Sequence, residues 1–165
     1  SLALSTIPPS IRVMKDKPRK ASDFILSKSL VRNIAVTTIC FCIIMLSLMF
    51  CYDSTLLTGI KDVISVKELT IIFTTFVLLQ FWNLLNAKAW GSGRSAFAGL
   101  KTCKGLLLVL GIIAVCQVLI VSFGGDIFRV EPLSITTWCL LWGGTVLVLF
   151  IGEISRAVSR KKNVN

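Results

Sequence analysis

Gln80, Asn83 and Asn86 recur at every third position of an otherwise apolar run, Phe76-Val-Leu-Leu-Gln-Phe-Trp-Asn-Leu-Leu-Asn-Ala-Lys88. On a helix this spacing sets the three amides along one side, within about 120° of arc. A side-chain amide in an apolar medium needs a partner. Two chemistries supply one. Amide oxygens are hard ligands that suit a cation such as Ca²⁺. Amides also tie helices together in a membrane, each bond contributing typically about 0.6 and at most about 1.7 kcal/mol. Spacing alone favours the second. Gln117, and Thr145 beside Gly143-Gly144, read as helix packing of the same kind, because small residues let backbones approach. Glu153 has Arg156 at i+3 and reads as a surface ion pair.

The elements that must carry these residues follow from where the charges are missing. Of 165 residues, 55% are hydrophobic and 16% charged, with a mean hydropathy of +0.83. Four runs hold no charged residue: 33–52, 69–87, 105–125 and 132–152. Each is long enough to cross a hydrocarbon core of roughly 30 Å at roughly 1.5 Å per residue. The composition excludes a soluble globular domain, a disordered chain and a disulfide mini-protein, and the runs lack the alternation of a β-barrel. The predicted fold is all-α: an integral membrane four-helix bundle. In it Gln80 lies mid-span, about 16 Å from the end of its helix.

The net charge of +10 is distributed unevenly. Fifteen of the eighteen Lys and Arg fall before the first span, between the second and third, or after the fourth; Lys61, Lys67 and Arg129 are the exceptions. Asp53, Asp62, Glu68, Asp126 and Glu131 lie with those exceptions. By the positive-inside rule both termini are cytoplasmic. The basic excess is therefore topology, with anionic-lipid contact secondary, and no nucleic-acid partner is expected.

Several chemistries are missing. There is no His and no C-x-x-C, so zinc and haem sites built on His are excluded, and the six cysteines read as small buried hydrophobes. No acid or base lies deep in any span, whereas a self-sufficient cation transporter normally keeps one. G-x-x-x-x-G-K-[ST], G-x-S-x-G and H-E-x-x-H do not occur. No residue is assigned a catalytic role, none is assigned as a metal ligand, and by itself this chain is expected to catalyse nothing.

The predicted organisation is as follows. Residues 1–7 end a helix that continues from upstream, stopped by Pro8-Pro9. Residues 8–32 form a basic cytoplasmic loop, 33–52 the first span, 53–68 an outer loop and 69–87 the second span. Residues 88–104 form a cytoplasmic loop broken at Gly91-Ser-Gly93, 105–125 the third span, 126–131 an outer turn, 132–155 the fourth span and 156–165 a basic tail. The short outer turn predicts a tight hairpin of the third and fourth helices.

Four segments in this order resemble the last membrane helices of type II P-type ATPases, above all the calcium-pumping branch. The opening Ser1-Leu-Ala-Leu-Ser-Thr-Ile-Pro-Pro is similar to the end of the sixth helix of plasma-membrane-type calcium pumps. Pro8-Pro9, Met14, Pro18-Arg19 and Ile25-Leu26-Ser27 resemble the loop that follows it. The run from Phe76 to Lys88 is similar to the eighth helix, with its Q-x-x-N-x-x-N-A-[RK] signature. Ser122-Phe-Gly-Gly-Asp126, Pro132-Leu133 and Trp138 resemble the turn between the ninth and tenth.

The resemblance implies a membrane domain that buttresses the ion-transport helices of a bacterial calcium-translocating ATPase in the inner cell membrane. The phosphorylated Asp, the nucleotide site and the main calcium ligands would lie upstream of Ser1. The parent would use Mg-ATP and Ca²⁺. Its partners here would be the lipid bilayer, the upstream membrane helices and the phosphorylation domain, with Pro8, Pro9, Met14, Pro18 and Arg19 as coupling-loop candidates. Gln80, Asn83 and Asn86 become ion-pathway candidates. The sarcoplasmic-reticulum type carries a carboxylate where Gln80 stands, and acids where Ser10, Ile11 and Arg12 stand. The resemblance therefore implies one weakened calcium site and no acidic ion entry. Two other readings fit the composition: an autonomous small four-helix transporter, and a non-enzymatic membrane subunit or scaffold. Small four-helix exporters keep an acid in their first helix, and 33–52 has none.

Overall fold

The computed structural model describes residues 28–52, 64–90 and 95–162, without the side chains of 28, 29, 155, 156 and 158–162. Among these residues there is helix and turn and no strand. Four long helices follow one another: α1 (Lys28–Tyr52), α2 (Val66–Lys88), α3 (Lys104–Phe123) and α4 (Ile135–Lys162). A 3₁₀ turn, Leu100–Thr102, leads into α3, and a one-turn helix, Gly125–Phe128, follows it. All four long helices have the length and apolar composition needed to cross a membrane.

Local chemistry explains where the helices start and stop. α2 begins three residues before its apolar run because Ser65 and Glu68 form a reciprocal cap. Ser65 Oγ accepts from the Glu68 amide at 3.3 Å, and the Ser65 amide donates to Glu68 Oε2 at 2.7 Å. The acid at this end and Lys88 in the last turn both complement the helix dipole. α3 stops at Phe123, where Gly125 takes φ +43° and the chain turns. Arg129 closes the turn at φ 50°, left-handed although it is not glycine. α4 starts at Ile135 rather than at Pro132, because Ser134 Oγ accepts from the Thr137 amide at 3.3 Å as an N-cap does. It then continues to Lys162, through residues expected to be tail. α1 likewise starts at Lys28, inside the expected loop.

α2 is the central helix: it packs on α1, α3 and α4, and most extensively on α4. The third and fourth helices were expected to pair as a tight hairpin. They do not; both lean on α2 and have few close approaches to each other. The space between them is an apolar groove lined by Val118, Ile135, Trp138, Cys139 and Trp142. A short turn constrains only the ends of two helices. In lipid there is no hydrophobic drive to zip the rest, so van der Waals fit and hydrogen bonds decide the partner.

A buried apolar cluster lies at the Lys88 end of the bundle. Leu85 and Ala89 of α2, Ala96 of the α2–α3 loop, Cys103, Leu106 and Leu110 at the start of α3, and Leu149 of α4 form one buried cluster. α1 contributes little, and Phe41 is its one buried side chain among those described. The cysteines correct an expectation: Cys103 is buried, whereas Cys40, Cys42, Cys51, Cys116 and Cys139 are exposed. Gly143 and Gly144 are corrected too. A methyl group at either would meet nothing within 4 Å, so among the described residues they mark no close approach of helices.

Candidate functional site

Each three-residue step along α2 falls about 60° short of a full turn. Across Gln80, Asn83 and Asn86 that is enough to leave one environment and enter another. Asn86 faces α4, and its Nδ2 donates to the Val148 carbonyl at 3.1 Å. Gly152, one turn further along α4, makes room for it. A Cβ there would collide with Asn86 Oδ1 and lie 2.7 Å from its Cγ. This is a close-approach glycine between α2 and α4, and it is not part of a paired-glycine motif.

Trp82, one turn before Asn86, joins the same interface. Its Nε1 donates to Thr145 Oγ1 at 3.1 Å, and that hydroxyl donates in turn to the Leu141 carbonyl at 2.6 Å. Phe81, Trp82 and Trp142 pack edge to face in a trio, with centroids 5.1–5.5 Å apart. The sequence did not single out Trp82. An indole N–H held in lipid needs an acceptor, and that requirement was its available signal.

Gln80 lies about 120° round the helix from Asn86, on the bare face. It is exposed there in a stripe with Leu69, Phe73, Phe76 and Ala87. Asn83 sits between the two environments, half-buried. Among the described residues neither Gln80 nor Asn83 makes a hydrogen bond. The structure thus separates the three amides: Asn86 is a helix tie, and Gln80 and Asn83 remain open.

The side of α2 facing α3 carries further polar ties. Gln117, 4% exposed, donates from Nε2 to Thr74 Oγ1 at 3.2 Å. Thr70 Oγ1 accepts from the Glu131 amide at 3.0 Å and donates to the Val66 carbonyl at 2.8 Å. Thr75 Oγ1 bonds only within α2, donating to the Ile71 carbonyl at 2.7 Å. Glu153 binds the α2–α3 loop: Oε1 accepts from Ser95 Oγ at 3.1 Å and from the Ala96 amide at 2.5 Å. The Arg156 side chain lies outside the described residues, as do Pro8, Pro9, Met14, Pro18 and Arg19. Among the described residues no group of three His, Cys, Asp or Glu could hold a metal ion. What the open face of α2 can lend to a cation is an amide dipole, not a charge.

The family described as cation transporting ATPase, C-terminus, matches residues 1–158. This chain belongs to that family. It is a C-terminal membrane domain of a P-type cation-transporting ATPase, and it is similar to the same region of several calcium pumps. It is 35% identical over 164 residues to plasma membrane calcium-transporting ATPase 3 of Rattus norvegicus, covering 93% of this chain and 12% of that protein. It is 31% identical over 161 residues to plasma membrane calcium-transporting ATPase 4 of Homo sapiens, covering 93% and 12%. It is 28% identical over 171 residues to plasma membrane calcium-transporting ATPase mca-1 of Caenorhabditis elegans, covering 98% and 13%. The chain thus spans about one eighth of the length of these relatives. Within the ATPase family, then, the domain is a four-helix membrane unit organised on α2, with one amide on the uncovered face of that helix.

Proposed function

We propose that this domain buttresses the ion-transport helices of a calcium-translocating ATPase, with Gln80 turned toward them. One observation carries the reading. α2 is covered on the sides facing α3 and α4, where its polar groups are bonded within the chain, and it leaves the Leu69–Phe73–Phe76–Gln80–Ala87 stripe uncovered. Upstream membrane helices of the same polypeptide cover that stripe, and Gln80 is the polar group they meet at mid-membrane. Asn83 borders it, and Asn86 serves assembly. The parent hydrolyses Mg-ATP and moves Ca²⁺; residues 8–30, with Pro8, Pro9, Met14, Pro18 and Arg19, contact its phosphorylation domain. The basic asymmetry supports a cell-membrane topology with both termini cytoplasmic.

A neutral amide adds far less to a divalent ion than a carboxylate, because the ion–dipole interaction lacks the full charge. Gln80→Ala in the intact protein is expected to raise the calcium concentration for half-maximal ATPase activity less than tenfold, about 1.4 kcal/mol at most. Gln80→Glu is expected to act more strongly, since an acid near the bilayer centre needs a partner and the nearby cation is one. Calcium titrations of ATPase activity read both. Abolished transport in a folded Gln80→Ala protein would make Gln80 a principal ligand and refute the buttress role; two variants indistinguishable from wild type would place the ion elsewhere. Topology has its own test: cysteines introduced near Ser54 and Asn163 should be labelled from outside and inside respectively.

A further inference from the structure

Ala96 lies in a loop, yet it is fully buried, in the cluster with Leu85, Ala89, Cys103 and Leu106. A buried loop peptide carries a donor and an acceptor that water cannot reach, and leaving either unmade is costly. Both are met by charges from two different helices. The Ala96 amide donates to Glu153 Oε1 of α4 at 2.5 Å. The Ala96 carbonyl accepts from Lys88 Nζ of α2 at 3.2 Å, and the same ammonium donates to the Ala98 carbonyl at 2.7 Å. Ser95 Oγ adds a second bond to Glu153 Oε1 at 3.1 Å. The loop is closed on itself by the Ala98 amide donating to the Ser95 carbonyl at 3.0 Å.

We infer that 95–98 is a two-position latch that straps α4 to α2, closed when Ala96 sits in the core and its peptide group is held at both poles, open when the turn lifts into water. Lys88 and Glu153 are its positioning residues. Neither pole can be released alone without stranding the other polar group in the apolar cluster, so the two bonds close and open together. The latch joins helices that are not consecutive, at the end that holds the buried apolar cluster. It is separate from the bare face of α2 and does not depend on which ion is carried. Opening lifts the lid from Cys103, which is 4% exposed in the closed position.

Cys103 is therefore the reporter. In intact protein with its other cysteines replaced, the rate of labelling by a water-soluble maleimide reads the open fraction. Charge-assisted bonds of this type hold strongly enough that Lys88→Met and Glu153→Ala should each speed labelling by about tenfold to a hundredfold. The double variant should be no faster than the faster single one, because the latch is already open. Glu153→Gln, which keeps an acceptor oxygen but loses the charge, should give a smaller rise, again not additive with Lys88→Met; it carries the test if the alanine variant does not assemble. Rates that multiply in the double variant would show two independent surface bonds and overturn the latch. So would rapid labelling of Cys103 in the parent, or no response to either substitution.

Discussion

Two faces of one helix carry the same functional group and use it differently. On the α4 side of α2, Asn86 and Trp82 each donate to an acceptor on α4, and the notch at Gly152 makes room for Asn86. On the bare side Gln80 stands exposed among Leu69, Phe73 and Phe76. An amide within a membrane helix is thus not a site by virtue of its chemistry. It becomes a tie where a facing helix offers an acceptor, and it is available for other work where none does.

Filling the notch is the most forceful way to break this distinction. Gly152→Val should destabilise the α2–α4 contact by about 1–3 kcal/mol, because the new methyl groups overlap Asn86. Gly143→Val and Gly144→Val should stay within about 0.5 kcal/mol, since both positions open onto free space. Thermal unfolding of the purified proteins in one detergent compares them; equal losses at the three positions would mean that Gly152 is not the contact. Removing a tie without adding bulk should cost less. Trp82→Phe keeps the edge-to-face packing and deletes the bond to Thr145, and should cost about 0.6–1.7 kcal/mol. Least affected should be Gln80→Leu, within about 0.5 kcal/mol in stability while the calcium dependence of ATPase activity shifts. A loss in Gln80→Leu as large as that in Trp82→Phe would erase the difference between the faces.

The four helices were legible because charge is absent over runs of 19–21 residues, a signal that needs no knowledge of partners. The family was legible as a resemblance, carried by the Gln80–Asn83–Asn86 run with the paired prolines and the Phe-Gly-Gly turn in order. Which helix lies beside which was not. Trp82 and Thr145 are 63 residues apart, and nothing in either segment names the other. Gly143-Gly144 looks like a packing motif, but its helix turns it outward, whereas Gly152 carries the contact without any motif. For Glu153 the helix itself offered only Arg156, and nothing local pointed to the bonds it makes across the bundle with Ser95 and Ala96. Local spacing predicts the face of a helix; the occupant of the opposite side is a tertiary fact.

The central position of α2 also has a consequence in time. Its acceptor on α4, Val148, follows Asn86 by 62 residues. At roughly 5–20 residues per second of synthesis, α4 is made about 3–12 s after α2. During that interval Trp82 and Asn86 have no α4 to bond, and the Lys88 end of α2 cannot be strapped because Glu153 does not yet exist. Until the last helix arrives, α2 is held by its tie to α3, Gln117 to Thr74, by what was synthesised before it, or by the insertion machinery. In this domain the helix at the centre of the finished assembly is among the last to be secured.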